Sequence, residues 1–320
     1  MVNFINTLLS EQFLPFWVLL IVVLTERYLP WPDKYHPISF IKLLAMGMQT
    51  KVLSPERNSI SQQKISGILA CIVLLLPFCI ILAVFKYLSE YPVFFEAFML
   101  IVALRFQDIP KQTRKVSAAL SKQKKMLARH ALAQIVLRET EKMSPLGMVK
   151  ANIESLLLRY SYQYCTVVFW YMLIGQLGAL IYRLVYELSL CWNSKLTRFK
   201  YFGQTVRHVV NILQWLPCKL ASLSVVIAVN ISQGSAALFQ RASYQSNHLF
   251  ILNLCGASLD IELGGPAYYQ QQKVRSKKCG GTRQVILADN IRVLGAINRA
   301  TWVWLTFCFM GCVLCFLVSQ

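Results

Sequence analysis

Acidic residues are scarce in this chain. Only 14 of its 320 residues are Asp or Glu, against 33 Lys and Arg, and just 15% are charged at all. A soluble domain of this length normally carries more charge, so an ordinary water-facing surface is excluded. Histidine is rarer still, at four, and the ten cysteines show no metal spacing. That excludes a sequence-evident zinc centre and implies no disulfide framework. Cys308, Cys312 and Cys315 lie near one face of the last apolar run, where they read as small packing residues. Residues 1 to 13 contain no Lys or Arg, and the apolar run behind them ends in Glu26-Arg27 without a small-residue cleavage site. A cleaved signal peptide is therefore not expected, and this run should stay as a first anchor. There is no internal repeat and no low-complexity region.

What is abundant is apolar sequence: 56% of residues, with a mean hydropathy of +0.48. It is concentrated in runs, roughly Phe13 to Thr25, Ile65 to Leu88, Val93 to Leu104, Cys165 to Tyr186, Val209 to Val229 and Ala300 to Val318. Such runs predict an all-α, polytopic integral membrane protein with about five transmembrane helices, because lipid leaves no backbone group unsatisfied. Pro77 predicts a kink in the second run. Glu96 must face protein or water, and an arginine is a possible partner. Pro217-Cys218-Lys219 interrupts the fifth run, which could be re-entrant or interfacial. The net charge of +19 does not point to nucleic acid, because the positive residues are spread over several loops between apolar runs. It fits the Lys/Arg excess of cytoplasmic loops in a multi-pass inner-membrane protein whose partner is the lipid bilayer. Residues 105–164 and 231–299 are the expected cytoplasmic segments of a single domain spanning 1–320. Val116, Leu120, Leu127, Leu132 and Ile135 recur there at helical spacing, which predicts amphipathic helices. Lys195, Arg198 and Lys200 conflict with placing the 187–207 loop outside.

The segment Leu263-Gly264-Gly265-Pro266-Ala267-Tyr268-Tyr269 stands out. Two glycines before a proline permit a sharp turn and a close approach, then lock it. Two tyrosines and a basic stretch (Lys273, Arg275, Lys277, Lys278) follow, suited to an anionic ligand or to a membrane-surface charge cluster. This segment resembles the LGG-P-x-x-Y element of the CobD/CbiB family of cobalamin-biosynthesis membrane proteins. Other pieces resemble that family's pattern in order: His36-Pro37, Arg138-Glu139-Thr140, Ile153-Glu154-Ser155 with Phe169-Trp170, Tyr182-Arg183, Phe202-Gly203, Pro217 with Lys219-Leu220, and Asn247.

The resemblance implies amide-bond formation between a carboxylate of adenosylcobyric acid and aminopropanol or its phosphate, using ATP and Mg²⁺. It also implies possible association with other cobalamin-pathway membrane proteins. Carried over by position, Glu154 and Glu139 are the candidate catalytic carboxylates. His36, Arg138, Arg183, Arg207, Lys219, Asn247, Gly264, Gly265, Pro266 and Tyr269 are the candidate substrate-binding residues, and no metal ligand is assigned. Each has a plainer reading. Glu154 or Glu139 could form an ion pair with Arg138 or Lys150, His36 could be a buried turn histidine, and Arg183 could snorkel. His130 and His208, in basic surroundings, read as solvated or interfacial. Several family carboxylates are replaced here. Leu158, Arg159, Tyr162 and Gln163 stand in one motif, Tyr186 to Leu190 in another, and Val209-Val210 where the family has an Asp-Asp pair. Valine neither binds Mg²⁺ nor moves a proton, so the family's metal-assisted mechanism is not expected to run unchanged. The losses, with Glu26-Arg27 and Leu213-Gln214-Trp215-Leu216-Pro217, also resemble AmpE-like inner-membrane sensor or accessory proteins.

Overall fold

The computed structural model describes residues 12–29, 31, 36–52, 59–238, 246–269, 272–274 and 276–319, with 267–269, 272, 273 and 319 described through their backbone. The architecture is helical. In chain order the helices are α1 (Leu14–Tyr28), α2 (Pro37–Val52), α3 (Ile60–Leu88), α4 (Pro92–Ala103), α5 (Asp108–Ser121), α6 (Lys125–Ala133), α7 (Pro145–Arg159), α8 (Thr166–Ile174), α9 (Gln176–Cys191), α10 (Gln204–Val229), α11 (Ile231–Leu238), α12 (Asn247–Ser258) and α13 (Asp289–Ser319). Short strands β1 (Glu262–Gly264), β2 (Ala267–Tyr269), β3 (Gln272–Val274) and β4 (Lys278–Gly280) pair antiparallel as β1 with β4 and β2 with β3. Local chemistry sets the helix starts. Ser59 and Gln62 exchange side-chain and backbone bonds in a capping box at α3, and Ser144 with Pro145 opens α7.

Three helices among the described residues are long and apolar enough to cross a membrane: Ile60–Leu88, Gln204–Val229 and Asp289–Val318. The other expected runs form shorter helices. The Cys165–Tyr186 run is not one span. It breaks at Gly175, whose φ of +86° ends α8 and starts α9. The fifth run, expected as a candidate re-entrant segment, is instead one helix through Pro217. Pro217 has no N–H for the carbonyl of Leu213, and the Trp170 indole N–H donates to that carbonyl at 3.2 Å.

The chain divides into two compact units: Met1–Arg105 with Thr166–Leu213 and Phe307–Gln320, and Phe106–Cys165 with Gln214–Thr306. In the first, α9 packs on α2, α3, α4 and α8. Gly67 of α3 meets the Phe202 carbonyl so closely that a Cβ would sit 2.0 Å from its oxygen. Glu96 accepts a 2.8 Å hydrogen bond from the Tyr171 hydroxyl, so its identified partner is a tyrosine rather than the arginine suggested by sequence. Cys312 packs with Phe13 and Phe16, in keeping with its reading as a packing residue.

In the second unit, α5 and α6 form a hairpin whose turn places Gln123 at φ +56°. Both helices pack on α7, and α12 lies against β1 and β4. That last contact is close: a Cβ on Gly256 would be 2.9 Å from the Gly280 Cα. The Asn253 carboxamide oxygen accepts from the Gly280 N–H at 2.9 Å, which fixes β4 on α12.

Candidate functional site

The second unit brings together Arg138, Glu154 and the Gly264-Gly265 turn. Glu154 projects from α7 and is 2% exposed. One carboxylate oxygen is ion-paired with the Arg138 guanidinium, and the other accepts the Gly264 N–H at 2.7 Å. The resemblance carried both residues to this place, and the ion-pair reading of Glu154 holds for Arg138. Gly264 has φ +77° and Gly265 φ +101°, backbone that side chains rarely adopt.

A second, more open layer lies beside the first. Lys150, one turn before Glu154 on α7, meets Glu262 at 3.4 Å, and the Lys278 ammonium meets the same carboxylate at 3.1 Å. The Lys150 Nζ is also within 3.9 Å of where a side chain on Gly265 would begin. Sequence reasoning missed Glu262 altogether and placed Lys150 near the wrong glutamate. Strand alternation puts Glu262 and Gly264 on one face of β1, with buried Leu263 on the other, but a three-residue strand is too short for that pattern to be read in the sequence.

Glu262 titrates below its ordinary value of 4.5, chiefly because the Lys278 ammonium donates to it, with Lys150 adding its charge. A carboxylate with a depressed pKa stabilises the fold above its ordinary value and loses that contribution as pH falls through the lower one. Thermal melts of the protein and of Glu262→Gln are therefore expected to differ above about pH 4.5 and to converge as pH falls below it. Melts that differ equally at pH 3 and pH 7 would remove Glu262 as the titrating group. Cys279 of β4 is buried beside Glu154 and Glu262, and burial with those charges raises its thiol to about 11. It stays protonated and is not a nucleophile at neutral pH.

The remaining candidates scatter. Glu139 stands half-buried in the linker between α6 and α7. Pro266 is exposed, Tyr269 in β2 and Lys273 in β3 have their side chains outside the described residues, and Arg275 falls outside them altogether. Asn247 is the first residue of α12, behind the Ser246 cap. The Lys219 ammonium sits 3.7 Å over the Trp215 ring, a cation–π pair on α10. Arg183, His36 and Arg207 belong to the first unit. His36 is buried at the start of α2, its Nδ1 accepting from the Ile38 N–H at 3.2 Å, which is the turn-histidine reading. Arg183 is 2% exposed and does not snorkel. It meets Glu187 at 2.7 Å, and Lys42 meets the same carboxylate at 3.2 Å. The Arg183 Nε and Nη1 find no acceptor among the described residues.

The positions at which the resemblance implied lost carboxylates have structural work. Arg159 donates to the Ile135 carbonyl at 3.0 Å, and Tyr162 and Gln163 are buried in a π-helical stretch, Tyr160–Cys165. Val210 is fully buried. Among the described residues no group of three His, Cys, Asp or Glu is placed to hold a metal. At the cluster itself both oxygens of Glu154 are engaged and Glu262 lies between two ammonium groups, so the donor set does not fit Mg²⁺. Lys150 and Lys278 do fit an anionic oxygen group.

A family model described as CobD/Cbib protein matches residues 19–297. The cobalamin biosynthesis protein CobD of Chromobacterium violaceum is 26% identical over 95% of this chain and 97% of its own length. CobD of Leptospira interrogans is 24% identical over 86% of this chain and 90% of its own. CobD of Stutzerimonas stutzeri is 24% identical over 77% and 81%. No solved structure matches the chain. The ordered motifs, the helical membrane architecture and the match across most of its length agree: this chain belongs to the CobD/CbiB family of cobalamin-biosynthesis proteins.

Proposed function

We propose that the chain acts at the step where adenosylcobyric acid is joined to aminopropanol or its phosphate, and that the Gly264-Gly265 turn with Lys150 and Lys278 receives an anionic group of that reaction. The observation that carries this is the convergence of Arg138, Glu154 and Gly264, distant in sequence, on one cationic patch. Arg138 and Glu154 hold the turn. Lys150 and Lys278 are partly exposed and are the groups able to meet a carboxylate or phosphate, including the phosphates of ATP. A Mg²⁺ requirement inherited from the family is not met by this cluster, and no step is routed through the ion.

A specific observation favours a second reading. Glu154 is consumed by its ion pair and the Gly264 N–H, which, with the carboxylate losses that the resemblance implies, suits a non-catalytic AmpE-like sensor or accessory protein. Growth of a strain lacking the synthase on cobyric acid separates the two. The unaltered chain is expected to restore growth. Lys150→Ala/Lys278→Ala is expected to lower affinity about a hundredfold or more, for two charge-assisted contacts, and to abolish growth while the protein still accumulates in the membrane. Failure of the unaltered chain to restore growth, with labelled cobyric acid still retained, would select the accessory role. Growth undiminished in the double variant would move the site elsewhere.

A further inference from the structure

We propose that the α5–α6 hairpin docks its tip on an anionic phospholipid leaflet. From Lys111 to Arg138 the chain holds no Asp or Glu and no aromatic residue. The run Ser121 to Leu127 is exposed throughout, and Met126 and Leu127 are 74% and 59% exposed. Lys122, Lys124 and Lys125 surround those two apolar side chains. The buried faces of both helices are already spent on α7, so the tip is not waiting for the rest of its own unit.

The shape of the tip matches an amphiphile. A cleft of about 480 Å³ runs between α5 and α6, lined by Lys115, Lys122, Lys124, Leu127 and His130. A neighbouring cleft of about 720 Å³ is lined by Lys124, Lys125, Met126, Leu127 and Pro145. The two share Lys124 and Leu127. Each therefore has a cationic rim that can meet a phosphate and an apolar wall that can meet glycerol and the first methylenes of an acyl chain. Nucleic acid would use the lysines but has no use for exposed Met126 and Leu127, and the hairpin offers no Phe, Tyr or Trp ring for successive bases to stack on, only the His130 imidazole. An anionic leaflet uses both, in a family of membrane proteins with spanning helices in the same chain.

Hydrogen exchange of the full chain in nanodiscs of phosphatidylcholine, with and without phosphatidylglycerol, tests this. Exchange over 121–127 is expected to slow at least about tenfold with phosphatidylglycerol, and the effect is expected to shrink at high salt. In Lys122→Glu/Lys124→Glu/Lys125→Glu the two lipids should give the same exchange, while protection of α7 stays as in the unaltered protein. Equal exchange of the unaltered chain in both discs overturns the proposal. So does equal protection by soluble glycerol phosphate in phosphatidylcholine discs, which would mark a free-anion cleft. If the triple variant loses α7 protection it has misfolded, and the comparison of lipids with the unaltered chain decides alone.

Discussion

Glu187→Ala is expected to lower the stability of the protein by about 3–5 kcal/mol, as removal of one member of a buried ion pair generally does. Arg183 and Glu187 are both 2% exposed and lie one turn apart on α9, 2.7 Å from each other. Without the carboxylate, a guanidinium is left in the interior with no counter-charge, and it cannot shed its proton to escape. Lys42 adds less, because its side chain is 37% exposed and water screens it. The sign of the coupling is testable. Arg183→Gln with Glu187→Gln should be considerably more stable than either single variant, because it removes the charges together. Thermal unfolding in detergent reads all of these, and a Glu187→Ala protein melting within a degree of the parent would show that the pair is hydrated.

Gly264→Ala is expected to be nearly as costly, at about 3 kcal/mol or more, through two separate mechanisms. An L side chain at φ +77° is strained, and its Cβ would lie 2.3 Å from the Lys277 carbonyl oxygen. The backbone must then shift, and the Gly264 N–H moves off the buried Glu154 carboxylate. Exchange of the β1 and β4 amides should rise by orders of magnitude while exchange within α5 does not. Unchanged β1 exchange in the variant would mean that the turn tolerates a side chain and that the glycine is not what seats it on α7.

The class of fold was legible because lipid demands it: long apolar runs have few other solutions. Boundaries were less so. Hydropathy cannot see Gly175, since one glycine barely alters the average of the Cys165–Tyr186 run, yet its positive φ breaks the helix. The four short strands escaped because alternation over three residues is too brief to register. At the site, Arg138 with Glu154 and the glycine turn were readable by motif order. Glu262 was not, because nothing local distinguishes an isolated glutamate from a solvated one. Its role is given by Lys150, far away in the chain. The matched positions divide between the two units: His36 and Arg183 are buried in the first, while Arg138 and Gly264 lie in the second.

The indole of Trp170 and the ring of Pro217 illustrate how two such motif positions become coupled in inheritance. Proline alone would strand a main-chain oxygen on a helix long and apolar enough to cross a membrane, and the indole supplies the missing donor. The reverse loss is harmless, because a carbonyl oxygen can accept both the indole and a restored main-chain N–H, so descendants of this chain should shed the proline more readily than the tryptophan.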